Sequence, residues 1–180
     1  CIVYMFEVRH VNNENSNLKA ELDIILDNKD SIQNSIEETT LYNIIGREVA
    51  STSKCEPMTM ENISSYIDYL DSMGVVWYPD ILKATVKVES GNATSKIARS
   101  NKNMTGMKTP KHRPNLCTGT INGHATYVNW KQSILCRLLW DRYSFKRKPT
   151  REEYLARLDN VYCSENPDYS KILEDTSKIK

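Results

Sequence analysis

The sequence predicts a mainly α-helical protein. Apolar residues recur at helical spacing, with Leu18, Leu22, Ile25, Ile32 and Ile36 as one set and Met60, Ile63, Ile67 and Leu70 as another. Capping residues stand at the starts of several such runs, and no stretch has the pattern of a strand. A chain of 180 residues suits one compact domain with an appendage, and is long enough for a hydrophobic core.

The elements follow in order. Cys1–Phe6 is an apolar stub too short to cross a bilayer. It reads either as the tail of a removed anchor or export segment, or as a short strand or loose arm. Residues 12–48 are polar and helical, with no Gly before Gly46 and no Pro before Pro57. Their four-three apolar spacing is interrupted by Lys29 and covers under three heptads, so a helix packed on the main domain is expected ahead of a coiled coil. Ala50 to Pro57, rich in Ser and Thr, reads as a linker. The expected division is an N-terminal helical segment over 1–49 and a main domain over 50–180.

Thr59 suits the N-cap of the next helix, and Gly74 its end. Pro79 suits the first position of a helix whose inner face is Ile81, Ala84, Thr85 and Val88. Gly91 stops that helix and leaves Glu89 in its last turn. Residues 100–124 hold Gly106, Pro110, Pro114, Gly119 and Gly123, and read as a long irregular loop or small hairpin, of a length that is often functional. Asn129 can cap a helix through Trp130, Ile134, Leu138 and Trp140. Thr150 and Glu153 form a capping box, and Pro167 opens a last helix with Ile172 and Leu173.

The net charge of +1 conceals an asymmetry. Residues 14–90 hold most of the acids and 91–151 most of the bases. Between Ser90 and Trp140 there is no Asp or Glu, while Lys96, Arg99, Lys102, Lys108, Lys111, Arg113, Lys131 and Arg137 all fall there. The segment is either an anion-binding face or a solvated basic one. The five cysteines include no Cys-x-x-Cys pair, which argues against zinc and thioredoxin-like chemistry. Disulfides are not assigned, and Cys136 reads as a buried thiol. His112 and His124 read as solvated loop residues. No metal or organic cofactor is implied, and the basic stretch lacks a nucleic-acid motif.

Glu89 is the candidate with chemistry. A carboxylate in a helix's last turn meets the negative end of the helix dipole, and apolar neighbours such as Val86 and Val88 would strip it of water. Both effects favour the protonated form that a general acid needs.

At Glu89-Ser90-Gly91 the chain begins to resemble the bacterial and phage endo-β-N-acetylglucosaminidases that cleave peptidoglycan. Their apolar helix, Glu-Ser-Gly and following Ser are matched through Ser95. Their Asn-Leu-Phe-Gly block is matched by Asn103-Met104-Thr105-Gly106-Met107-Lys108. Their Ala-x-Tyr-x-x-Trp-x-x-Ser is matched by Ala125 to Ser133, and a closing Tyr…Pro-x-Tyr by Tyr162 to Tyr169. The resemblance runs in order from about Tyr78 to Leu173.

It implies a lysozyme-like helical domain with Glu89 as general acid on the glycosidic oxygen. Tyr127 and Tyr162 would line the cleft, and Asn103 and Gly106 would shape the loop facing Glu89. Ser90, Ser95 and Met107 complete the expected substrate-binding set. The implied partner is the peptidoglycan glycan strand, whose stem carboxylates the basic loop would suit. Anchoring to a membrane or virion through the N-terminus stays open, as does oligomeric state. The place of work would be the cell envelope, the extracellular space, or a phage particle or lysis system.

The departures are Lys102, Thr105 and Asn92 at positions where the family commonly has Asn, Phe and an aromatic. The loop region also lacks a second carboxylate. Two acids normally flank a glycosidic bond, so three readings stay open: the substrate's own N-acetyl group serves as nucleophile, Tyr127 or Tyr162 helps position a water, or the protein is slow or inactive. A lytic transglycosylase and a non-catalytic glycan-binding or structural module are the alternatives.

Overall fold

The computed structural model describes residues 2–51 and 55–179, with side chains from Leu18 onward. Its elements in order are α1 (Ile2–Ala50), α2 (Met60–Ser72), α3 (Pro79–Ser90), α4 (Lys96–Asn101), β1 (Gly119–Ile121), β2 (His124–Thr126), α5 (Trp130–Ser144), α6 (Arg151–Arg157), a π-helical turn (Leu158–Tyr162) and α7 (Tyr169–Ser177). The mainly α class is as expected. No described helix is long and apolar enough to cross a membrane.

The chain forms two compact units, Cys1–Ile36 and Glu37–Lys180. In the first, Leu18, Leu22, Ile25, Ile32 and Ile36 are exposed rather than packed. Residues 2–6 are helical, so the stub is neither a strand nor a loose arm. The second unit starts thirteen residues before the expected boundary at residue 50, because Leu41, Ile44 and Ile45 are buried in its core. Glu37 fixes the start of this unit. It accepts from Trp77 Nε1 at 2.9 Å and from Arg142 Nη2 at 3.2 Å. Residues 52–54 of the expected linker lie outside the described residues.

Local chemistry sets the helix ends. Thr59, Asn129 and Thr150 each accept from a backbone amide three residues on, and Glu153 returns the bond to Thr150 N at 2.8 Å. Pro79 opens α3, and Gly91 closes it at φ 55°. The final helix starts at Tyr169, two residues after Pro167. Ser95 caps α4, a short helix that the sequence reading did not separate from the loop.

Helix α5 is buried almost all round from Trp130 to Asp141, as befits a helix threaded through a core. The buried residues form two clusters. One joins α2, the end of α1 and one side of α5. The other gathers Trp77, Ile81, Tyr127, Trp140, Tyr154, Tyr169 and Leu173 around the opposite side. Strands β1 and β2 make one antiparallel hairpin, pairing Thr120 with Ala125.

Candidate functional site

Glu89 sits in the last turn of α3, half-buried. Of the two expected apolar neighbours, Val86 is buried in the core and Val88 is exposed. Its real neighbours come from farther along the chain. Oε1 accepts from the Tyr169 hydroxyl at 2.6 Å. Oε2 lies against the backbone of Gly106. A Cβ there would overlap Oε2 and stand 3.0 Å from Cδ. Gly106 also has φ 67°, a conformation that favours glycine. Two independent constraints therefore require this residue, and both serve the approach of the 103–107 loop to Glu89.

That loop is held on every side. Asn103 Nδ2 donates to Met107 O at 2.8 Å and to Ala125 O at 3.0 Å, and Asn103 Oδ1 accepts from Met107 N. Met104 N donates to Ser133 Oγ at 3.0 Å. The Tyr162 hydroxyl donates to Thr105 O, and His124 Nδ1 donates to Gly106 O at 3.2 Å. His124 is thus a backbone partner of the loop rather than a solvated residue.

The expected site residues divide into two groups. Glu89, Gly106 and Tyr162 converge on one place. Ser90, Asn103, Met107 and Tyr127 are buried and act from behind it. Ser90 Oγ donates to Val86 O at 2.5 Å and accepts from Ala93 N at 2.8 Å. It closes a turn in which Gly91, Asn92 and Ala93 all have positive φ. Met107 and Tyr127 pack in the core, and Ser95 caps α4. None of these five has its polar group or side chain committed to a cleft.

No family model, curated protein or solved structure matches this chain.

Behind Glu89 lies an aromatic stack. The Tyr169 and Tyr162 rings are 6.1 Å apart, and Tyr162 meets Trp140 edge-on at 5.2 Å. The Arg137 guanidinium is wholly buried, 4.2 Å from the Tyr162 ring centre. It donates to Asp141 Oδ1 at 3.3 Å and to the Tyr154 hydroxyl at 2.9 Å, and Tyr154 donates to Asp141 in turn. Burial raises the pKa of the Tyr162 phenol to about 12, opposed by Arg137 and assisted by Glu89. Burial, together with the Tyr162 and Glu89 side chains, pushes Tyr169 up as well. Both phenols are proton donors at neutral pH.

The basic segment is not one face. Arg137 is in the core, and Lys131 bridges to Glu56 at 3.1 Å and to Glu48 at 3.9 Å. Arg113 turns inward to Cys136 O at 3.4 Å. Lys96, Arg99, Lys102, Lys108 and Lys111 remain exposed.

Sequence reasoning missed Tyr169 as the hydrogen-bond partner of Glu89, and it missed the Arg137–Asp141–Tyr154 network. The signal for the first was present, since Tyr169 is the last residue of the closing motif. For the second there was the i, i+4 spacing of Arg137 and Asp141 around the apolar residues Leu138, Leu139 and Trp140. Cys55, Cys117, Cys136 and Cys163 are free thiols, with Cys136 buried as expected. Burial first, then the charges of Glu89, Glu165 and Asp159, raise the pKa of Cys163. A concavity of about 420 Å³ lies elsewhere, lined by Glu48, Glu56, Tyr66, Tyr69 and Lys131.

Proposed function

We propose that this chain is a glycoside hydrolase of lysozyme-like architecture, cutting the β-1,4 bond after N-acetylglucosamine in peptidoglycan. Glu89 is the general acid on the leaving oxygen. The observation that carries this reading is a half-buried carboxyl held from both sides, with Oε1 accepting from the Tyr169 hydroxyl and Oε2 packed against a loop backbone that only glycine allows so close. A general acid must reach the glycosidic oxygen at hydrogen-bond distance, and the solvent-facing side of the half-buried Glu89 is where that oxygen would approach.

The partner is the glycan strand, and the place of work is the envelope, the extracellular space, or a phage particle or lysis system. Asp141 is committed to Arg137 and Tyr154, which removes it from the search for a second acid. Glu165 is exposed and lies within the closing motif that supplies Tyr162 and Tyr169. With no carboxylate bonded opposite Glu89 among the described residues, the substrate's N-acetyl group is the proposed nucleophile.

Digestion of purified peptidoglycan with mass spectrometry of the products tests activity and bond together. Glu89→Gln is expected to lower the rate by roughly two to four orders of magnitude, the scale of general acid catalysis. Retained activity would sink the assignment. Glu165→Gln is expected to stay within about tenfold of the parent, a barrier change of about 1.4 kcal/mol. A loss as deep as that of Glu89→Gln would make Glu165 the second acid. Reducing N-acetylglucosamine ends identify the hydrolase, and anhydro-muramyl ends a lytic transglycosylase.

A further inference from the structure

The apolar seam of α1 is left uncovered. Leu18, Leu22, Ile25, Ile32 and Ile36 are each more than half exposed. Their spacing is a heptad with Leu22, Lys29 and Ile36 at a and Leu18, Ile25 and Ile32 at d. The sequence carries the same register upstream, with Val8 and Asn15 at a and Val11 at d. Over 8–36 there is neither Gly nor Pro, and the helix is continuous across the whole range. Asp23, Asp27 and Asp30 fall at b, f and b, away from the seam.

We propose that residues 8–36 form a parallel coiled coil with further copies of this chain, in three or four strands. Copies of the same chain satisfy the pattern where an unrelated helix would have to imitate it. In a parallel, in-register assembly Asn15 meets Asn15 and Lys29 meets Lys29, so the two polar a positions share their own layers. An antiparallel partner would set them against Leu and Ile. Glu14 at g and Lys19 at the following e are complementary across neighbouring parallel strands. Leu22 at a with Ile25 and Ile32 at d is the combination that shifts preference from two strands to three or four. The flanks agree, since between 18 and 36 only Lys19 and Glu21 are charged at e or g. Leu26 at e adds apolar surface that a wider bundle covers. Lys29 weakens the seam but keeps its register, its stem lying along apolar neighbours with the ammonium in water.

Ile24 and Ile25 supply the decisive test. They are 61% and 62% exposed, so simple hydrophobic stickiness treats them alike. The register puts Ile25 at d and Ile24 at c. Sedimentation equilibrium of the full chain at roughly 100 µM, about a hundredfold above a micromolar dissociation constant, is expected to give three or four chains per particle. Ile25→Ser is expected to shift the chain to monomer, and Ile24→Ser to leave the assembly intact. A monomeric or dimeric parent, or equal dissociation by both variants, overturns the proposal. Lys29→Ile is expected to tighten association at least tenfold, and weaker association counts against the register. Oxidation of the L18C variant, mapped by mass spectrometry, is expected to link position 18 to position 18. An assembly of the right mass without that link overturns the parallel arrangement.

Discussion

Glu89 and Gly106 meet across a gap that admits no side chain. Gly106→Ala adds a single methyl, yet it meets both a positive φ and the carboxylate. The backbone term alone costs roughly 1–2 kcal/mol. Relief of the overlap must come from moving Glu89 or the 103–107 loop. The expected outcome is a folded protein, by circular dichroism, whose wall-digesting rate falls at least about 100-fold, the loss that a displacement of about 1 Å can cause. A variant with parental rate would show that the loop does not set the carboxyl's position. Of this arrangement, the sequence disclosed Glu89, Gly106 and the turn at Gly91. It did not disclose which hydroxyl reaches Glu89, because Tyr127, Tyr162 and Tyr169 are equivalent until the fold directs the Tyr169 hydroxyl to Glu89 and the Tyr162 hydroxyl to Thr105 O, while Tyr127 packs in the core and bonds to neither.

At the scale of elements, caps were legible because they are local. Thr59, Asn129 and Thr150 each need only a backbone amide three residues away. The ties between elements were not legible. Arg151, at the start of α6, reaches Asp80 in α3 at 2.7 Å and Glu174 in α7 at 3.5 Å. Burial of Asp80 opposes its ionisation, but the hydrogen bond and charge of Arg151 outweigh it and hold the pKa below the usual aspartate range. A carboxyl depressed in the folded state contributes stability that is present above its unfolded value, about 3.9, and lost as pH falls through the folded one. Melting temperatures across pH 2–6 are expected to fall on the acid side, and Asp80→Asn to flatten part of that limb. The pair is partly solvated, so the effect is modest and should shrink with added salt. An unchanged acid limb in Asp80→Asn would remove this tie from the account.

For the whole molecule, the boundary at Glu37 matters more than the linker that composition suggested. Deleting residues 1–36 is expected to leave a folded domain. Deleting 1–48 removes Leu41, Ile44 and Ile45 together with the carboxylate that pairs with Trp77 and Arg142. Three buried aliphatic side chains contribute roughly 1.5–3 kcal/mol each, a large share of a domain's usual 5–15 kcal/mol. The longer deletion is expected to be molten or insoluble by near-ultraviolet circular dichroism, and a native spectrum would restore the later boundary. The periodicity of residues 12–48 could not reveal this division, since one uninterrupted helix runs through it and only burial changes along the way. Burial also ranks the parts of the packed unit by how they open. Helix α5 is enclosed from Trp130 to Asp141, so no local fluctuation can bare its peptide groups to solvent. Its amide protons should exchange with deuterium only when the entire unit unfolds. Their shared rate would then read out the global free energy directly, and amides around Lys108–Lys111 should exchange far sooner.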